Sequence, residues 1–220
     1  MIILVRHGEA THHTEHLTGG WTDSVLTAYG KQQIKIVAKM LAKDFAKHPK
    51  PIVFTSDLQR ASASARIICK ALGDVPMIIK NSLREKNNGK AAGLTEEEAR
   101  KYYRKPISEK ELDHANYEGG ETRREFYNRT VKGFEDLVNT DENIIIVAHK
   151  GTLQNIVFSW LGMDIDEVNE KNFSLDVRPA SISVLGINKW QEHAIFLLND
   201  TSYLQKDSTL GLFNYKFSWR

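Results

Sequence analysis

The sequence predicts a three-layer α/β/α fold with a mostly parallel central sheet flanked by helices. Three observations lead there. Short apolar, β-branched runs recur along the 220 residues, segments of helical period separate them, and most runs are continuously apolar, as strands covered on both faces are. The composition, 41% hydrophobic and 26% charged, is that of an ordinary globule, and the length suits one well-buried domain, 1–220, with an elaborated edge.

The elements follow in order. IILV (2–5) reads as the first strand. Thr27 is the N-cap of a helix that carries Ile34, Val37, Ala38, Leu41 and Phe45 on one face. IVF (52–54) is the next strand, and a helix begins near Ser56 and continues through LQRASASARIICKAL. MII (77–79) is a third strand. Residues 86–118 then change character: polar and charged with few aliphatic side chains, they read as an insert lying over the sheet edge and the active site. Within it, Thr95 and Glu98 form a capping box that starts a helix. A further helix opens near GGET and runs to about Val138, IIIVA (144–148) is a strand, and a last long helix covers roughly 152–161. SISVLGI (181–187) and AIFLL (194–198) complete the strands.

Charge and cysteine content narrow the function. Thirty basic against 28 acidic residues give a formal charge of +2, which implies neither nucleic acid nor an anionic membrane as partner. Any anion recognition is therefore local. The single cysteine, Cys69, excludes an intramolecular disulfide framework and a multi-cysteine metal site, and its helical position suits a small core residue. Five apolar residues ahead of Arg6 are too few for a signal peptide or a membrane span, which predicts a cytoplasmic enzyme.

In open α/β sheets, ligands bind beyond the carboxyl ends of the strands. Arg6 and His7 follow the first strand, Ser56, Asp57 and Arg60 the second, Glu85 the third, and His149 the run IIIVA. Two arginines, two histidines and a carboxylate on one rim suit a phosphate group, because the guanidinium fork matches phosphate oxygens and its bonds are charge-assisted. Taken alone, Arg60 also fits an ordinary surface helix residue, and Glu85 a salt-bridge partner of Arg84 or Lys86.

The stretches LVRHGEA, GWTDSVLTAYG, FTSDLQRASASA, LRE, GGET, VAHKGTL and NDTSYL, in that order from residue 4 to residue 204, resemble the histidine phosphatase superfamily, in its phosphoglycerate mutase-like branch. The resemblance implies a phosphohistidine intermediate, with no metal and no cofactor. Carried over by position, His7 is the nucleophile, Arg6, Arg60 and His149 hold the phosphoryl group, and Glu85 is the proton donor. His13, Gly19, Lys150 and Thr152 are candidate substrate-binding residues. These roles are physically coherent. A neutral imidazole offers a lone pair near pH 7, and a covalent intermediate splits one difficult displacement into two. For that, one His7 nitrogen must be held as a donor, with a backbone carbonyl near Gly8 as the expected partner. A carboxyl group beside a phosphate dianion should have its pKa raised, which keeps Glu85 protonated for the leaving alkoxide.

RHGEATHHTEH (6–16) holds four histidines, and His12 and His16 are spaced four apart like two zinc ligands. The order differs from HExxH, and Gly19 and Gly20 suggest a loop. The expectation is one working histidine, His7, with solvent-facing neighbours, His13 excepted. His13 stands where the family commonly has a donating asparagine, Ala10 replaces a frequent hydroxyl residue, and Lys150 replaces a small residue. Lys150 either points into solvent or adds charge at the pocket mouth.

The insert is short and lacks the proline-rich stretch of the glycolytic mutases, which favours a phosphatase acting on a small phosphorylated metabolite. Phosphoglycerate mutase-type transfer and a catalytically weak phospho-ligand or protein-binding relative are the alternatives. Lys86, Lys90, Arg100, Lys101, Arg104 and Lys105 suit either a polyanionic or carboxylated substrate or a solvated helical face. Homodimers occur among such proteins, so the partner expectation is a small metabolite with a homodimer left open.

Overall fold

A computed structural model describes residues 1–108, 110–138 and 142–204. Six strands form one sheet in the order β3-β2-β4-β1-β5-β6. These are β1 (Ile2–Arg6), β2 (Ile52–Thr55), β3 (Met77–Ile79), β4 (Ile144–Ala148), β5 (Ile182–Ile187) and β6 (His193–Asp200). All six coincide with the apolar runs read from sequence. β1, β2, β3 and β4 are mutually parallel along their pairings, while β5 runs antiparallel to β1 and β6 antiparallel to β5.

The four principal helices cover both faces. Along β1, Ile3 and Val5 point to one side, where α2 (Ala28–Asp44) and α3 (Gln59–Ala71) add Ile34, Val37, Leu41 and Ile68. Ile2 and Leu4 point to the other, where α5 (Arg123–Val138) and α6 (Lys150–Trp160) add Phe134, Leu137, Leu153 and Ile156. This two-sided cover explains why the central strands are apolar along most of their length. Cys69 lies in the first of these cores.

Local chemistry sets the helix ends. The Thr27 hydroxyl accepts from the Gly30 amide at 2.9 Å and caps α2. Thr95 and Glu98 form the expected capping box at α4 (Glu96–Ala99), a single α-turn that tightens into a 3₁₀ turn, Arg100–Tyr102. Two short helices were not expected. α1 (Thr11–Thr14) lies in the histidine-rich loop, and α7 (Ile165–Glu170) is capped by Asp164 and Glu167. Each is too short for an apolar period to show.

Two expectations are corrected. α3 starts at Gln59, not near Ser56, because Leu58 is still extended; Ser56 stays on the loop. β3 and β6 are edge strands and not covered on both faces, with Ile79 47% and Phe196 61% exposed. An apolar run does not by itself tell a central strand from an edge.

Segment 86–118 is tied to the loop after β1. Thr18 and Gly93 exchange backbone bonds with Leu94 and Thr18 carbonyls, both at 2.8 Å, and Leu17 bridges Thr95. Its Leu112 is buried against Tyr127, Phe158, Ile165 and Val168. Among the described residues, no helix is long and apolar enough to cross a membrane.

Candidate active site

The order β2-β4-β1 places three strand ends side by side, and with them Arg60, His149 and His7. The His7 amide donates to the Ala148 carbonyl at 3.0 Å, so the first residue past β1 is stitched to the end of β4. Gly8 must follow. A Cβ there would stand 2.4 Å from the Gly30 carbonyl oxygen, and one on Gly30 would stand 2.0 Å from that of Glu9. The chain leaving β1 thus passes against the first turn of α2 with no room for side chains.

His7 is 2% exposed, with Nδ1 2.7 Å from the Gly8 carbonyl. A carbonyl only accepts, so Nδ1 carries the proton and Nε2 keeps its lone pair. The rings of His7 and His149 are 5.2 Å apart, and His13 lies nearly parallel to His7 at 5.7 Å. Burial pushes His7 and His149 well below the usual histidine range, and the neighbouring Arg60 and Arg6 push them the same way.

Both arginines stand beside these neutral rings. Arg60 is 1% exposed; Nη1 donates to the Thr22 carbonyl at 3.0 Å and the Ser24 hydroxyl at 3.3 Å, and Nη2 to the Gly20 carbonyl at 2.7 Å. Arg6 donates to the Val177 carbonyl at 2.6 Å and to His13 Nε2 at 2.9 Å. Burial lowers both guanidinium pKa values to about 10, which leaves them charged at neutral pH. Neither forms a salt bridge with a carboxylate among the described residues. Arg6 Nε, Arg60 Nε and His149 Nδ1 are buried without partners.

Glu85 reaches the site from the sheet edge beyond β3. Its carboxylate accepts from the Gly151 amide at 3.1 Å and the Lys86 amide at 2.9 Å. Its carbonyl accepts from Trp21 Nε1 at 2.7 Å and Arg129 Nη2 at 3.1 Å. Arg129 in turn is held by Glu121, the acidic residue of GGET, and also donates to the Ser82 and Arg84 carbonyls. Arg84 pairs with Asp57 and not with Glu85.

The remaining candidates divide. His13 is in the site. Gly19 lies beside the His12 ring, where a Cβ would sit 3.8 Å from Nε2. Lys150 forms an ion pair with Asp176 at the start of α6. Thr152 differs from the expected substrate contact: it is fully buried, and its hydroxyl donates to the Arg84 carbonyl at 3.0 Å, behind Glu85. The picture of solvent-facing neighbours is also corrected. His12 is buried, with Nδ1 2.8 Å from the Ser24 hydroxyl, whereas His16 is exposed at φ 54°. In segment 86–118, Lys90 pairs with Glu118.

Sequence reasoning missed Ser56 as a partner of His149, whose Nε2 lies 2.8 Å from its hydroxyl. It also missed Trp21 and Arg129, which hold the backbone of Glu85. The only signal in the sequence was position: Ser56 precedes Arg60, Trp21 lies in GWTDSVLTAYG, and Arg129 lies two helical turns past GGET.

The chain and its fold are similar to several known proteins. Phosphoserine phosphatase 1 of Hydrogenobacter thermophilus is 27% identical over 208 residues, covering 92% of this chain and 93% of its own. Phosphoglycerate mutase-like protein 4 of Arabidopsis thaliana is 31% identical over 161 residues, 70% of this chain and 68% of its own. The fold matches the alpha-ribazole phosphatase of Shigella flexneri with a TM-score of 0.72 and 24% identity, over 90% of this chain and 96% of that one. It also matches a mycobacterial glucosyl-3-phosphoglycerate phosphatase in complex with VO3, with a TM-score of 0.71, 21% identity, and 90% and 98% coverage. The sequence profile of the "Histidine phosphatase superfamily (branch 1)" matches residues 2–201. The chain belongs to that superfamily.

Proposed function

We propose that this protein is a phosphomonoesterase that hydrolyses a small phosphorylated metabolite through a phosphohistidine on His7. The observation that carries the reading is the pair of charged arginines, Arg60 buried and Arg6 half-buried, which form no salt bridge among the described residues and stand beside two neutral histidines. Buried charge without a counterion is costly, and a phosphoryl dianion supplies the missing countercharge. In the first half-reaction His7 Nε2 attacks phosphorus while the P–O ester bond breaks. Arg6 and Arg60 neutralise the charge on the transferring group, whose displacement demands positioning and electrostatics above all. Ser56 donating to His149 Nε2 fixes that ring as the neutral Nδ1–H tautomer and holds it beside His7. Glu85 gives its proton to the leaving alkoxide and then takes one from the water that cleaves the P–N bond, which releases phosphate and restores His7.

Phosphatase action is favoured over mutase action by the 92% coverage shared with a phosphoserine phosphatase, and the solved phosphatases named above act on different small phosphoesters. Segment 86–118 serves in this reading as the cover that selects the substrate, with Lys150 outside the reacting group. The test is phosphate release from p-nitrophenyl phosphate and from a panel of serine, sugar, glycerate and nucleotide phosphates, with EDTA present. The expected result is release that survives EDTA and vanishes in His7→Ala. Exchange of phosphoryl groups between glycerate phosphates without release would replace the reading with a mutase.

A further inference from the structure

His12 is the one buried histidine of the cluster that this chemistry leaves without a task. Its surroundings fix its tautomer. Arginine has only donors, so Arg60 Nη1 must donate to the Ser24 hydroxyl oxygen. Ser24 is 3% exposed, and its second partner is His12 Nδ1 at 2.8 Å. Were Ser24 to accept from His12 as well, its own proton would be left buried and unpaired. The arrangement that satisfies every group runs in one direction, from Arg60 to Ser24 to His12, so that Nδ1 accepts and Nε2 bears the proton. Burial, His13 and the two arginines lower the His12 pKa to about 3, so the ring is neutral and this single tautomer persists.

That N–H is free. Among the described residues His12 Nε2 has no protein partner, yet it is not one of the sealed, partnerless atoms of the core. It lies next to Gly19, whose missing side chain leaves the edge of the ring open. The ring centroid is 6.1 Å from that of His7 and 4.0 Å from that of His13. A phosphoryl oxygen between His7 and His12 needs a bond of about 2.8 Å to the donor, which this separation accommodates.

We infer that His12 Nε2–H is a further donor to the phosphoryl oxygens of the substrate, held in its donating tautomer through Ser24 by Arg60. The inference rests on the proposal that the phosphoryl group sits over His7. It makes His12 part of the binding site, where the spacing of the sequence suggested a bystander or a zinc ligand.

Two measurements on the full chain test it. Long-range ¹H–¹⁵N correlation of the free protein should show His12 with Nε2 protonated and Nδ1 bare; the opposite tautomer would overturn the relay. Calorimetric titration with inorganic phosphate, which offers phosphoryl oxygens and nothing else, should show affinity weakened roughly 10- to 100-fold in His12→Phe, the range expected for a charge-assisted bond. His12→Gln, which retains a donor near Nε2, should recover part of it. Should His12→Phe fail to fold, His12→Leu serves instead: it also removes the Nε2 donor and should weaken phosphate binding to the same extent. Phosphate affinity unaltered in the variant that folds would overturn the inference. Failure of the underlying reading looks different: wild-type protein would neither bind phosphate nor release it from any ester.

Discussion

Arg60 is charged and 1% exposed, and among the described residues it is bound only to carbonyls and a hydroxyl, with the Glu85 carboxylate acting on it at longer range. Arg6, His7, Arg60, Glu85 and His149 were all legible in the sequence, because strand ends announce themselves and the motifs stand in order. Ser56 and His12 were not, since their partners are 93 and 12 residues away in sequence and no local pattern marks them. One prediction belongs at this scale. Glu85→Gln keeps the shape of the side chain and removes the transferable proton, so turnover of an alkyl phosphate should fall about 100-fold or more while p-nitrophenyl phosphate, whose leaving group needs no proton, is affected far less. Equal losses measured in parallel assays would remove Glu85 from the acid role.

At the scale of elements, the decisive contacts are those where two backbones approach. Gly8 and Gly30 let the chain leaving β1 pass against α2, whereas Gly151 lets the Glu85 side chain approach the start of α6. The family pattern sets a small residue directly after the histidine, and here Lys150 occupies that place, paired outward with Asp176. The close approach has moved one residue on: a Cβ on Gly151 would stand 2.5 Å from Glu85 Oε1 and 2.9 Å from Phe126 Cε1. Gly151→Ala should therefore displace the carboxylate and lower kcat about 10-fold or more, with a melting temperature reduced only modestly because the Glu85 side chain can swing away. A loss of stability as large as that of Gly8→Ala, where backbone meets backbone, would show that the glycine serves the fold and not Glu85. The same clamp explains GGET: Glu121 holds Arg129, and Arg129 holds the carbonyls of residues 82, 84 and 85.

For the whole molecule, the histidine cluster ties stability to pH. His7, His12, His13 and His149 are all pushed below the ordinary value of 6.5, chiefly by burial, with His12 at about 3 and His13 at about 4. Below about pH 6.5 the unfolded chain takes up protons at these positions while the folded protein does not. The stability they contribute is thus complete above pH 6.5 and is lost progressively as the pH falls towards 4 and 3. Thermal melts between pH 7.5 and 4.5 should show a steady decline below pH 6.5 that is shallower in His12→Gln. A melting temperature constant over that range would contradict the buried, neutral assignment.

The sequence by itself determined the α/β class, all six strands, the four main helices and the placement of the five proposed site residues beyond strand ends, because apolar period, capping chemistry and ordered motifs are local properties of the chain. The tertiary structure alone decided which strands lie at the edges, where α3 begins, that Thr152 supports the backbone behind Glu85, and that His12 turns inward. Each of these depends on what packs against a residue from elsewhere in the chain. The direction of a hydrogen bond from Arg60 through Ser24 to His12 exists only once three separate stretches of sequence are folded together.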